Sequence, residues 1–314
     1  MNILVTGATG FVGSRLISAL RKKEYVVIGT TRRTTDDTSG LINVGDISEL
    51  TNWSDAVKGC DVIVHTAGRA HILNDDAVDR LTEFRRVNRD ATLKLAEDAA
   101  AAGVKHFIFI SSIGVNGNST HGVPFTEQSI PQPISDYAIS KLEAEKALKE
   151  KCAERGIALT VIRPALICGE NAPGNIRRLL KLVSVGLPMP FRGVSNKRSM
   201  VSLDNVVNFI MTCIEDPRSK NELFVLADED KPTTEEIIRT FADGMNKPAR
   251  VIWFPSFLLN VVLRFIGKKS IYEQLYGSLD IDASYASRQL DWHPKVSIFT
   301  TMKKTAEFYV KDVK

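Results

Sequence analysis

Thr6-Gly7-Ala8-Thr9-Gly10-Phe11-Val12-Gly13 (TGATGFVG) joins an apolar run, Asn2–Thr6, to a stretch, Phe11–Lys22, whose apolar residues recur at helical spacing. Glycine at 7, 10 and 13 lets the chain turn tightly and leaves no Cβ to keep a pyrophosphate from the backbone. The helix that follows offers free N–H groups and the positive end of its dipole to phosphate. A glycine-rich turn carries weight when it leaves a strand and opens a helix, and this one does both. The octapeptide therefore predicts an α/β fold, a Rossmann-type doubly wound parallel sheet, with a dinucleotide on Gly7, Gly10, Phe11, Val12 and Gly13.

Outward from that turn, short apolar runs alternate with helical patterns, as in successive βαβ units. Further strands are expected at Tyr25–Gly29, Asp61–His65, His106–Ile110 and Ala158–Ile162, with helices around Asn52–Val57, over Leu81–Ala102 and over Asp136–Glu154. The strands hold few charges, which suits a sheet covered on both faces. After Arg163-Pro164 the alternation breaks, and Gly and Pro cluster at Gly169–Gly174 and Gly186–Gly193. Residues 1–169 are expected to form the dinucleotide-binding domain and 170–314 a smaller C-terminal substrate-binding lobe. Segments near 200–227 (Met200–Ile214, Leu223–Ala227) are expected to return to the sheet.

Composition narrows the function. The 314 residues are 44% hydrophobic and 25% charged, as in ordinary globular proteins. A formal net charge of +4 suits an anionic small molecule as well as a nucleic acid, but no basic block singles out the latter, and no nucleic-acid partner is expected. Cys60, Cys152, Cys168 and Cys213 show no metal-type spacing and read as reduced thiols. The five histidines form no ligand pattern either, so no metal is expected; His71, close after a strand end, is a candidate to face substrate. With no leader and no run of about 18 apolar residues, a cytoplasmic protein without a transmembrane segment is expected. Trp253 to Ile266 places Phe257, Leu258, Val261, Val262 and Phe265 on one helical stripe, followed by Lys268 and Lys269. That stripe reads as packing in the smaller lobe, with weak membrane-surface association as the sharper alternative.

Tyr137-Ala138-Ile139-Ser140-Lys141 is a YxxxK at the head of a long helix, and Ser112 lies 25 residues before the tyrosine. With the GxxGxxG turn, this trio resembles the short-chain dehydrogenases/reductases. A free tyrosine titrates near about 10, too high for a base at neutrality. A lysine one turn away and a cationic nicotinamide would favour the phenolate, which could then take or return a hydroxyl proton. Lys141 would also reach the cofactor ribose, and Ser112 would hold the reacting sugar oxygen.

Over nearly its whole length the chain resembles the extended members, the NAD-dependent epimerase/dehydratase family of UDP-glucose 4-epimerase. Gly45-Asp46-Ile47, His65-Thr66-Ala67-Gly68, Asn88 and Ile162-Arg163-Pro164-Ala165-Leu166 match its cofactor-lining stretches. The resemblance thus implies cofactor contacts at Asp46, Ile47, Thr66, Ala67, Gly68, Asn88, Tyr137, Lys141 and Pro164. It implies substrate contacts at Ser112, Asn175 and Arg198. Leu290-Asp291-Trp292-His293-Pro294 matches the C-terminal LGWxP.

Departures refine this. The VYG after strand four is Val115-Asn116-Gly117. The dehydratases' Asp-Glu pair is Ile113-Gly114, so dehydration lacks its acid and base. Strand two ends without the acid of NAD-preferring members and is followed by Arg32 and Arg33, which favours NADP, with NAD possible. The second diphosphate arginine, expected near Tyr272, is not evident. SSIGVNG, GRAH and FRRVN resemble a bacterial polysaccharide-synthesis subgroup. The leading expectation is reduction of a UDP-4-keto-6-deoxy-N-acetylhexosamine at C4. A UDP-glucose or UDP-N-acetylglucosamine 4-epimerase is the runner-up, and a non-catalytic dinucleotide-sensing protein the third reading. Pairing of the two long helices in the family implies a homodimer.

Overall fold

A computed structural model describes residues 1–32, 40–70, 79–255, 258 and 269–312. The core element is a seven-stranded sheet in which β1 (Asn2–Thr6) is the third strand from one edge. One half runs from β1 through β2 (Val26–Thr31) to β3 (Leu41–Asn43). The other runs through β4 (Val62–His65), β5 (His106–Ile110) and β6 (Ala158–Pro164) to an edge strand, Leu223–Leu226. Every pairing is parallel, with Leu4 beside Ile28 on one side and Ile63 on the other. Because the order reverses at β1, the carboxyl ends of β1 and β4 diverge, and the crevice between them is where such sheets take ligands.

Alternate side chains of each strand feed two different cores. Ile3, Val5, Ile108 and Ile110 pack with Leu16 and Leu20 of α1 (Phe11–Lys22) and with Phe209 and Phe224. Leu4, Ile63, Phe107 and Phe109 face the opposite way, toward Trp53, Leu95 and Leu148. A third cluster joins Cys168, Leu180, Phe191, Met200, Phe241 and Met302 beyond the sheet.

Several expected elements land where the pattern places them: Asn2–Thr6, Phe11–Lys22 and His106–Ile110 coincide with the observed spans. Others differ. The second strand extends to Thr31, and Leu41–Asn43 was not anticipated. After α2 (Ser54–Val57), the stretch Leu81–Ala102 is not one helix but α3 (Arg80–Arg85), a π-helical turn Arg86–Asp90, and α4 (Ala91–Ala101). Leu223–Leu226 does return to the sheet, but Met200–Ser202 does not. It pairs with Leu166–Cys168 in a separate two-stranded sheet, while the helix Leu203–Glu215 that follows packs along α1.

Among the described residues no helix is long and apolar enough to cross a membrane, and no metal-type cluster occurs. The four cysteines are free and buried. Arg33, His71 and most of the Trp253 to Ile266 stripe, including Phe257, Val261, Val262 and Phe265, lie outside the described residues.

Candidate active site

The glycine turn is shaped by contacts that leave no room for side chains. Gly7 has φ +69°, and its N-terminal neighbour strand delivers it against the β4 end, where a Cβ would meet the Ala67 backbone at 2.9 Å. A Cβ on Gly13 would lie 2.2 Å from the Gly7 carbonyl. That carbonyl instead accepts from Gly10 N at 2.8 Å. Gly10 is the N-cap of α1 and brings no side-chain cap, so the first-turn N–H groups are open to an anion. The donors and the clearance fit a dinucleotide diphosphate.

Gly7, Gly10, Arg32, Asp46, Ile47, Thr66, Ala67 and Gly68 line one cavity of about 290 Å³. Val12 packs against the core, and Phe11 borders a separate cavity of about 730 Å³ with Gly169 and Leu203. The smaller cavity also holds a residue that sequence reasoning missed. Arg86, in the π-turn, donates to Ile47 O at 3.4 Å and lies 3.6 Å from Asp46 Oδ2, while Arg32 lies 3.8 Å from Asp46 Oδ1. Two guanidiniums thus flank Asp46. The buried Thr30 hydroxyl, on the same wall, has no partner among the described residues. FRRVN (Phe84 to Asn88), quoted above for the subgroup resemblance, was the available signal for Arg86.

Below the crevice, Ser112 follows β5. Its Oγ accepts from Gly114 N at 3.1 Å, capping the short turn Ile113–Val115, and its side chain lies close enough to Tyr137 to pull the phenol's pKa down. Tyr137 is the second residue of α5 (Asp136–Arg155), a helix started by Ser135, whose Oγ accepts from Ala138 N at 3.2 Å. The edge of Phe84 meets the Tyr137 ring at 6.1 Å. Lys141, one turn on, is buried; its Nζ donates to Ile110 O at 2.9 Å and sits 4.5 Å above the Phe109 ring. Burial pushes the Tyr137 phenol up to about 12, against the pull of Ser112, and pushes Lys141 down to about 8, against the attraction of Glu145.

Asn88 is fully buried in the π-turn. Its Oδ1 accepts from Arg69 N at 2.8 Å, and its Nδ2 donates to Arg69 O at 3.1 Å and Ser140 Oγ at 3.0 Å. It thereby ties the turn after β4 to α5. A Cβ on Gly68 would stand 3.4 Å from Lys141 Nζ, so the lysine reaches the same turn. His65, clamped between Thr6 Oγ1 (2.7 Å) and Thr92 Oγ1 (3.0 Å), is held down to about 3, by burial first and Lys141 second.

A second group missed at the sequence level lies behind the trio. Ser111 Oγ donates to Glu145, which takes Arg163 Nη2 at 2.5 Å and Nε at 3.0 Å; Arg163 Nη1 continues to Asn116 Oδ1 at 2.9 Å. All four residues are buried. The network spans β5, α5 and β6, whose last residue is Pro164.

Of the expected substrate residues Ser112 belongs to the trio, and the other two, Asn175 and Arg198, make no hydrogen bond to it among the described residues. Asn175 is the exposed first residue of a helix, Asn175–Ser184. Arg198 donates to Gly277 O at 3.2 Å and is pushed down to about 10 by burial. Isolated bridges join Arg198 to Leu279 and Ser278 to Thr120, which links the arginine to the loop after Ser112. Tyr272 stacks on Tyr276 at 4.8 Å.

Residues 3–227 match the model of the NAD dependent epimerase/dehydratase family. The chain is 37% identical to a UDP-glucose 4-epimerase of Vibrio cholerae, across 99% of this chain and 96% of that one. It is 26% identical, across 85% and 82%, to the N-acetyl-α-D-glucosaminyl-diphospho-ditrans,octacis-undecaprenol 4-epimerase of Escherichia coli O157:H7. Among solved structures it is similar to the UDP-glucose 4-epimerase of Thermotoga maritima with UDP-glucose (TM-score 0.78, 23% identity, all of both chains). It is also similar to a UDP-glucuronic acid 4-epimerase of Bacillus cereus with its substrate and NAD (TM-score 0.80, 20% identity, all of both chains).

Proposed function

We propose, from the premise that the chain belongs to the NAD dependent epimerase/dehydratase family, that it exchanges a hydride at C4 of a UDP-linked hexose or N-acetylhexosamine, with net 4-epimerisation. The observation that carries this reading is Ser112 beside Tyr137, close enough to pull its pKa down, with buried Lys141 one turn away and a glycine cradle that a Cβ would fill. A dinucleotide-sensing protein has no use for that trio.

When bound, a nicotinamide cofactor supplies the hydride acceptor and, oxidised, a positive charge that favours the phenolate. The chain's own residues do the rest. Gly7, Gly10 and the first turn of α1 hold the diphosphate; Lys141, beside Gly68, orients the ribose. Ser112 would hold the sugar O4 against Tyr137, whose phenolate would take the O4 proton as C4 is oxidised and return it on reduction, the positive charge working against the burial that raises the phenol's pKa. Ile113 and Gly114 provide no acid or base for loss of water. Asn175 and Arg198 would contact the nucleotide diphosphate. Residues 1–169 would serve as the nucleotide-binding domain and 170–314 as the substrate lobe, in a homodimer through the two long helices.

Net reduction of a UDP-4-keto-6-deoxy-N-acetylhexosamine is the second reading, and one observation favours it. Arg32 and Arg86 stand in the adenosine cavity with no acid at the end of β2, and the long, exposed Arg32–Asp46 contact is too weak to keep Arg32 from a 2′-phosphate of NADP. The test is to incubate the protein with UDP-glucose and UDP-N-acetylglucosamine plus NAD, and separately with the keto sugar plus NADPH, following the sugar by NMR and the nicotinamide by absorbance. C4 epimers without net cofactor consumption support the first reading. Stoichiometric NADPH oxidation establishes the second, and inertness in both arms removes C4 chemistry altogether.

A further inference from the structure

Of the thirteen large hydrophobics exposed among the described residues, seven lie on just two segments: Leu182, Val185 and Leu187 on one, Ile252, Trp253, Phe254 and Leu258 on the other. The two segments run side by side. Met189 N donates to Arg250 O at 2.9 Å, Ile252 N to Met189 O at 2.9 Å, and Arg192 N to Ile252 O at 3.1 Å. Lys247 Nζ donates to Ser184 O across the same seam. One contiguous apolar face results, on the far side of the third core cluster, and single scattered hydrophobics would need no such explanation.

The charge around this face is one-sided. Between Glu170 and Asp204 the sequence has Arg177, Arg178, Lys181, Arg192, Lys197 and Arg198 and not one acid. Between Asp243 and Pro255 it has Lys247 and Arg250, again with no acid. With a whole-chain formal charge of only +4, the remainder is net acidic. Arg177, Lys181, Lys247 and Arg250 are exposed beside the apolar residues. On the helix Thr234–Gly244, which packs against Asn175–Ser184, Glu235 and Asp243 are engaged by Arg239 and Lys303. A second copy of this chain would bring the same cations against each other, so self-association through this face works against its charge. An anionic bilayer supplies both an apolar interior for Trp253 and Phe254 and phosphates for the rim.

We propose that this face docks the protein, without insertion of a span, on the surface of a membrane rich in anionic phospholipid. The proposal does not depend on which C4 reaction the enzyme performs. The full chain is mixed with vesicles of phosphatidylcholine alone, or of phosphatidylcholine and phosphatidylglycerol in equal parts, and sedimented. Tryptophan emission is a second readout specific to the patch, because Trp253 is 70% exposed while Trp53 and Trp292 are 0% and 5%. Binding to the anionic vesicles only, with a blue shift that Trp253→Phe abolishes, is the expected result. Arg177→Gln with Lys181→Gln should weaken partitioning by roughly five-fold per cation, and Trp253→Ala should weaken it with an unchanged thermal midpoint. Absence of binding, or equal binding to both vesicles, overturns the proposal. So does a concentration-dependent dimer in lipid-free buffer that Trp253→Ala dissolves, which would assign the face to a second copy.

Discussion

Glu145 and Arg163 meet in a two-point ion pair, Nη2 to Oε2 at 2.5 Å and Nε to Oε1 at 3.0 Å, with both side chains buried. Removing one partner leaves the other charge unpaired in the interior, which costs about 3–5 kcal/mol. Glu145→Gln should therefore lower the thermal midpoint by roughly 6–10 °C. Glu145 also supports the charge on Lys141, already pushed down to about 8 by burial. Without it the alkaline limb of the pH–rate profile moves to lower pH, a displacement that mere loosening of the fold does not give.

Tyr137→Phe keeps the ring against Phe84 and removes only the hydroxyl. Turnover should fall about 10²–10⁴-fold, the usual share of a general acid–base group, with cofactor binding retained. Ser112→Ala should cost less. Near-normal turnover in the phenylalanine variant sinks the assignment.

Gly13→Ala would drive a methyl against the Gly7 carbonyl, backbone that cannot swing aside. Dinucleotide affinity, read by quenching or calorimetry, should be lost, while the circular dichroism of the sheet persists. Tight dinucleotide binding by this variant would mean that the diphosphate sits elsewhere.

His65 is buried and held down to about 3, and His106 to about 4, each chiefly by burial. Their folded values lie below that of an unfolded histidine, near 6.5, so the unfolded chain binds protons first as pH falls. The sign follows: stability present above about 6.5 is lost on acidification toward 3–4. Urea midpoints measured from pH 7 to pH 4 should fall, and His65→Gln should flatten that slope. An unchanged slope would show that His65 does not stay neutral in the folded protein.

Asp291 occupies the glycine position of the LGWxP-like motif with φ +52° and pairs with Arg218 at 3.0 Å on an exposed surface. Asp291→Gly relieves the left-handed strain as it gives up a weak pair, so its net effect should be small. Asp291→Ala keeps the strain and loses the pair. It should unfold at lower denaturant than the glycine variant, by about 1 kcal/mol. Equal stability of the two variants would show that the backbone carries no strain at this position.

What the amino-acid pattern revealed depended on whether one stretch of chain carried the signal. TGATGFVG was readable because turn, strand and helix adjoin, and YxxxK because one helical turn separates its members. The Glu145–Arg163 pair was not readable: its members sit on a helix and a strand, and only the parallel register of β5 and β6 brings them under Ser111. Leu41–Asn43 is too short for a period to show. Met200–Ser202 has the apolar character of a sheet strand, and its partner is decided by the path of Leu166–Cys168, which no local periodicity encodes. The paired guanidiniums at Asp46 depend on Arg86, whose direction is set by a turn that α-helical spacing does not anticipate.

That turn also makes the active-site wall a matter of counting. The Ala91 N–H reaches back five residues to Arg86 O, so the chain from Arg80 to Ala101 holds one residue more than an uninterrupted helix would use. One residue corresponds to about 100° of rotation. Upstream of the surplus, Phe84 faces Tyr137; downstream, Leu95 and Ala99 face the sheet. Were a single position between 86 and 90 dropped, every remaining amino acid could be the same and the helix straighter. Yet Phe84 and Arg85 would swing off α5 while the core held its place. The site's alignment is therefore stored in the length of the chain, where a comparison of residue identities alone does not look.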